Sequence, residues 1–106
     1  MAWGTTGITE DELKRIAAVR EYLSEQFPGS SLRDSYDPSR LAQVFRIETD
    51  EPPSVYTAVI STEFLKDHAP SKSGNLLMSW RLAEQLRGSD GKEVRVMSWG
   101  VDTQKG

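Results

Sequence analysis

The chain has 106 residues, 37% hydrophobic and 27% charged, with a net charge of −3 and no cysteine. That gives room for one domain with one core, and it excludes disulfides, thiolate catalysis and cysteine-bound metal. The charge is too mild to drive binding to a polyanion or a membrane surface: residues 1–53 carry six Lys/Arg against ten Asp/Glu, and residues 54–106 carry seven against six.

Residues 1–7, Met1-Ala2-Trp3-Gly4-Thr5-Thr6-Gly7, hold neither a basic run nor an apolar core and do not read as a signal peptide. They are expected to form a flexible tail, with Trp3 in it. The first helix follows. Thr9 and Glu12 have capping-box spacing, and Ile8 and Leu13 sit where a hydrophobic staple would close. Glu10, Asp11 and Glu12 suit the positive end of the helix dipole. Leu13, Ile16, Leu23 and Phe27 recur at helical spacing, beside Ala17 and Val19, and predict the core face. Lys14, Arg15, Glu21 and Glu25 are expected to face water, and Pro28-Gly29 stops the helix.

Residues 32–36 are a strand candidate, and Tyr36-Asp37-Pro38-Ser39 reads as a turn. Residues 41–48 alternate: Leu41, Gln43, Phe45 and Ile47 share one face of a strand, Ala42, Val44, Arg46 and Glu48 the other. After the loop Thr49-Asp50-Glu51-Pro52-Pro53, residues 55–61 are apolar on both faces, as a central strand requires. Thr62 is placed to cap a short helix holding Phe64, Leu65 and His68, which Pro70 ends. Pro70-Ser71-Lys72-Ser73-Gly74-Asn75 reads as a polar loop. Residues 76–87 form one helix with Leu76, Leu77, Trp80, Ala83 and Leu86 on its apolar face. Gly88-Ser89-Asp90-Gly91 turns the chain into a last strand over residues 92–99, with Val94 and Val96 on one face and Arg95, Met97 and Trp99 on the other.

These elements predict a single α+β domain over residues 8–100 between flexible tails at 1–7 and 101–106. The fold is a three- to four-stranded mixed sheet with two or three helices packed on one face, in the order α-(β)-β-β-α-α-β. The helical connection before the last strand allows a parallel pair.

The residues that would supply chemistry do not assemble in the sequence. His68 is the sole histidine. Glu63 lies five positions before it and Asp67 is adjacent, and neither is a helical neighbour spacing, so no metal site forms locally. Ser61, Ser71, Ser73 and Ser79 sit in no nucleophile motif. The loop at 70–75 leads to a helix N-terminus and carries Lys72, but it lacks the P-loop pattern. Asp34, Asp37, Glu48, Asp50 and Glu51 fall on strand ends and turns, where carboxylates are solvated. The aromatics Tyr56, Trp80 and Trp99 could stack on bases if exposed among basic groups; Arg95 and Trp99, with Lys92 and Arg46, are the best placed for this.

The order helix–strand–strand–helix–helix–strand resembles that of type II KH domains and of the BolA-like family. In KH domains a Gly-x-x-Gly loop between the middle helices clamps a nucleic-acid backbone. The stretch that corresponds to it here, residues 70–75, has one glycine. Phe64-Leu65-Lys66-Asp67-His68 and Leu82-Ala83-Glu84-Gln85-Leu86 look similar to BolA-like segments, with a longer interval between them. The family's last-strand histidine, which helps bind an iron–sulfur cluster, falls near Trp99, so that metal role is not implied here. The resemblance is one of element order and not of motif.

The sequence therefore leads to a non-catalytic protein-interaction or adaptor module, with no cofactor, no metal and no membrane span. The absence of cysteine leans towards the cytoplasm, and a groove or sheet edge could pair two copies as a homodimer. The binding residues expected are Lys72, Gly74, Trp80, Arg95 and Trp99. Nucleic-acid binding, on a KH-like element order without the Gly-x-x-Gly loop, is the alternative.

Overall fold

The computed structural model describes residues 10–50, 55–89 and 92–103. Nine elements follow in order: α1 (Glu10–Gln26), β1 (Ser31–Asp37), β2 (Ala42–Glu48), β3 (Val55–Ser61), α2 (Thr62–Asp67), α3 (Pro70–Ser79), α4 (Leu82–Arg87), β4 (Glu93–Met97) and β5 (Gly100–Thr103). The strands form one sheet in the order β1-β2-β3-β4-β5. Only β3 and β4 run parallel. A parallel neighbour needs a crossover, which α2, α3 and α4 supply.

The alternation of side chains decides what is covered. Phe45 and Ile47 of β2, Ala58 and Ile60 of β3, and Val94 and Val96 of β4 point to one face. There they join Ile16, Val19, Tyr22 and Leu23 of α1, Phe64 and Leu65 of α2, Leu77 of α3, and Leu82 and Leu86 of α4 in a single core. The helices thus lie on one face of a mixed α+β sheet. The other face carries Arg33, Val44, Arg46, Thr57, Val59, Arg95 and Met97.

Long-range polar contacts lock the helices. Arg15 on α1 donates to the carbonyls of Leu65, Lys66 and His68 at 2.6, 3.2 and 3.1 Å, closing the carboxyl end of α2. The Tyr22 hydroxyl accepts from the Ala83 amide at 3.1 Å, satisfying a free N–H in the first turn of α4. Burial pushes the Tyr22 phenol above its usual range, and the Ala83 amide opposes that shift.

Several sequence expectations are corrected. There are five strands and four helices among the described residues, and the order is α-β-β-β-α-α-α-β-β, so the likeness to the KH and BolA-like element order does not hold. β5 takes in residues that the sequence assigns to the tail: Val101 pairs with Val96 and packs on the core. Residues 70–75 are the start of α3 and not a loop. Proline is well suited to a first helical turn, and Ser73, fully buried, returns its hydroxyl to the Ala69 carbonyl at 3.0 Å. The helix expected over 76–87 breaks at Trp80-Arg81, where Arg81 adopts φ 56° and ψ 44°. That turn lets Leu77 and Leu82 both reach the core. Ser61, not Thr62, caps α2, accepting from the Phe64 amide at 3.0 Å. Leu13 is exposed, while Tyr22 is buried. The capping box at Thr9, the staple at Ile8, the tail with Trp3, and the loops at 51–54 and 90–91 lie outside the described residues, as do 104–106.

Candidate interaction surface

The five residues expected to bind are not gathered in one place. Lys72 is exposed on the first turn of α3. Gly74 lines a shallow groove of about 190 Å³ between α1 and α3, together with Tyr22, Glu25 and the exposed Met78. Trp80 ends α3 half-buried, its ring edge-on to Phe64 at 5.8 Å and to His68 at 6.1 Å. These three belong to the helical layer. Arg95 lies on the opposite face, which no described helix covers, and Trp99 lies in the two-residue turn between β4 and β5 rather than on a strand.

His68 has a structural setting. Its ring sits 5.0 Å from that of Phe64, and Nε2 is 2.9 Å from the Ser98 carbonyl oxygen, tying the end of α2 to the β4–β5 turn. Among the described residues no three His, Cys, Asp or Glu side chains come together in a metal-binding group. No helix among them is long and apolar enough to cross a membrane.

The end of the sheet where β3 and β4 finish brings together a different set. A cleft of about 400 Å³ is lined by Arg40, Leu41, Ser61, Thr62, Glu63, Lys66, Asp67 and Met97. It adjoins, through Arg40, Ser61 and Met97, a smaller hollow of about 180 Å³ on the opposite face that includes Val59 and Arg95. Arg40 forms the rim. Its Nη1 is 2.6 Å from Glu93 Oε2 and its Nε 3.2 Å from Asp37 Oδ2, joining the β1–β2 turn to β4. The hydrogen bond to Glu93 raises the Arg40 pKa further. The Ser39 hydroxyl, 2.7 Å from Asp37 Oδ1, holds the Asp37 carboxyl below the usual range.

Two large apolar side chains stand exposed at this end: Trp99 at 68% and Leu41 at 64% of full exposure. Leu41 also has φ 51°, a left-handed conformation that costs a non-glycine residue about 1–2 kcal/mol. The alternating pattern expected Leu41 on the buried face with Gln43, but β2 begins one residue later. The signal that marks Leu41 is its place directly after the turn Asp37-Pro38-Ser39-Arg40, where polar residues are usual.

A further group was not singled out by the sequence. On the Arg95 face of the sheet, Arg33 of β1 lies directly opposite Arg46 of β2. Among the described residues Arg33, Arg46 and Arg95 form no ion pair. The Arg95 Nε is buried without an acceptor among them. Like charges directly opposite on adjacent strands are unfavourable.

Comparison with protein-family models, with curated proteins and with solved structures gives no match.

Proposed function

We propose that this chain is a non-catalytic protein-interaction module that takes an apolar side chain of a partner protein at the end of the sheet where β3 and β4 finish. The observation that carries the reading is the exposure of Trp99 and Leu41 at the same end as an open cleft lined by Leu41 and Met97. Exposed aromatic and large apolar side chains around a cleft are the usual anchors of protein interfaces. Leu41 adds weight because it keeps a strained backbone to hold an apolar side chain in water. The compartment that suits a cysteine-free chain is the cytoplasm.

The test compares proteins retained from the source cell by the native chain and by the Trp99→Ala and Arg95→Ala variants. A partner retained by the native chain and lost with Trp99→Ala is the expected result. A partner set unchanged in both variants overturns the reading. Trp99 is exposed in a turn, so its truncation leaves the core intact, which circular dichroism checks.

A second reading, nucleic-acid binding, draws on Arg33, Arg46 and Arg95, which form no ion pair among the described residues, although Asp102 stands opposite Arg95 across β4–β5. The same face also carries Asp37, Glu48, Glu93 and Asp102, which weakens its attraction for phosphates. Titration of labelled single-stranded RNA at two salt concentrations separates the readings. Salt-dependent binding at micromolar protein favours nucleic acid; its absence favours the protein partner.

A further inference from the structure

We propose that two copies of this chain associate through strand β1, in a single register fixed by an Arg33–Asp37 pair, to form a continuous ten-stranded sheet. β1 is an outer strand: among the described residues its one strand neighbour is β2. Among the described residues its other edge has no strand partner; there every second residue of Ser31–Asp37 turns its N–H and C=O outward, and no proline interrupts the strand. Such an edge is a template for a further strand. A two-fold axis through the sheet makes the contact self-complementary and closed, so it ends at a dimer.

Charge selects both the occupant and the register. An antiparallel copy related by that axis keeps each side chain on its own face, so odd-numbered residues meet odd-numbered residues. With the axis at Ser35, Arg33 comes opposite the partner's Asp37, twice by symmetry. With the axis at Arg33, two arginines meet. With it at Asp34, two aspartates meet, and Arg33 faces a serine. With it at Tyr36, Asp37 faces a serine. Only the Ser35 register gives Arg33 a carboxylate.

Arg33 lacks one in the single chain. It is exposed, it faces Arg46 across β1–β2, and it forms no ion pair among the described residues. Asp37 is already held by Ser39 and Arg40, with part of its carboxylate exposed. A carboxylate has about four lone-pair sites, enough to accept a further guanidinium. On the helix side, Asp34 stays bound to Arg20 of its own chain and to Gln43 Nε2 at 2.6 Å, so its charge does not need the partner. The axis runs perpendicular to the sheet, so the two clefts at Leu41 and Met97 point in opposite directions and remain open.

Sedimentation equilibrium of the full chain over a range of concentrations tests this. The native chain is expected to approach twice its 11.9 kDa mass. Arg33→Asp places an acid opposite Arg46 within the chain, so the fold is retained, but it sets like charges against each other across the two-fold contact. It is expected to weaken association about 100-fold or more. Asp37→Arg is expected to do the same. An equimolar mixture of the two variants restores both pairs in a mixed dimer, and its association is expected to return to near the native strength. A native chain that stays monomeric at millimolar concentration overturns the proposal. So does a dimer that Arg33→Asp leaves intact, or a mixture of the two variants that stays monomeric.

Discussion

On the helix-covered face of the sheet, Phe45, Ile47, Ala58, Ile60, Val94 and Val96 are shut away from water and interlock with four helices. On the reverse face the same strands present Arg33, Arg46, Thr57, Glu93 and Arg95, and no described helix crosses them. One face is organised by the removal of apolar surface from water, the dominant driving force of folding. The other keeps features that folding does not need: two arginines in direct opposition, a buried guanidinium N–H without an acceptor among the described residues, and at its end two exposed apolar side chains. Local conflicts of this kind are expected where a surface serves something outside the chain. Lys72, Gly74 and Trp80 belong to the helical layer, on the other side of the sheet from Arg95.

Cutting into the covered face puts this contrast under the greatest load. Phe45→Ala removes a fully buried ring at the centre of the sheet and is expected to cost about 3–5 kcal/mol in denaturant unfolding. A loss under about 1 kcal/mol would mean that the two faces are alike. Tyr22→Phe leaves the Ala83 amide without its acceptor and is expected to cost about 1–3 kcal/mol. It also carries a pH signature. The Tyr22 pKa is raised in the folded protein, so its contribution is complete below about pH 10 and is lost as pH rises through the folded value. The native chain should lose stability above about pH 10 more steeply than the Phe variant, as unfolding curves between pH 8 and 11 would show.

Smaller effects belong to the uncovered side. Leu41→Gly relieves a left-handed leucine and is expected to raise stability by about 0.5–1 kcal/mol while weakening partner capture. A gain in stability with capture unchanged would make Leu41 a structural accident. Arg46→Ala removes one of two opposed charges at an exposed site and is expected to stay within about 0.5 kcal/mol of the native chain. A large loss would assign the Arg33–Arg46 face a role in folding and erase the difference between the two sides of the sheet.

Much of the covered face was legible in the sequence. The period-two alternation of residues 43–47 and the 3.6-residue spacing of Ile16, Val19 and Leu23 are local signals, set by the geometry of strands and helices. So are the central strand at 55–61 and the parallel crossover to β4. Arg95 and Trp99 were singled out from the chain, though on the premise that they share a strand face. The structure puts Arg95 on the open face and Trp99 in the turn beyond it. The rest depended on tertiary context. Residues 70–75 have the composition of a loop and become a helix because Pro70 starts it and Ser73 is buried with its hydroxyl on a backbone carbonyl. Val101 joins a strand because it lies across from Val96. Arg15 turns from solvent to the open carbonyls of α2, which lie about 50 positions away in the chain.

The class of the fold, the core-facing residues of its longer elements and the exclusion of cysteine chemistry follow from the chain alone, because propensity, periodicity and composition are properties of neighbouring residues. Three facts do not follow from it: which face of the sheet the helices leave uncovered, that Leu41 and Trp99 stand exposed at one end of it, and that Arg33 and Arg46 confront each other. The first arises from the path of the crossover, and the other two from where β2 begins after the turn and from the register of the strands, which composition and periodicity do not fix.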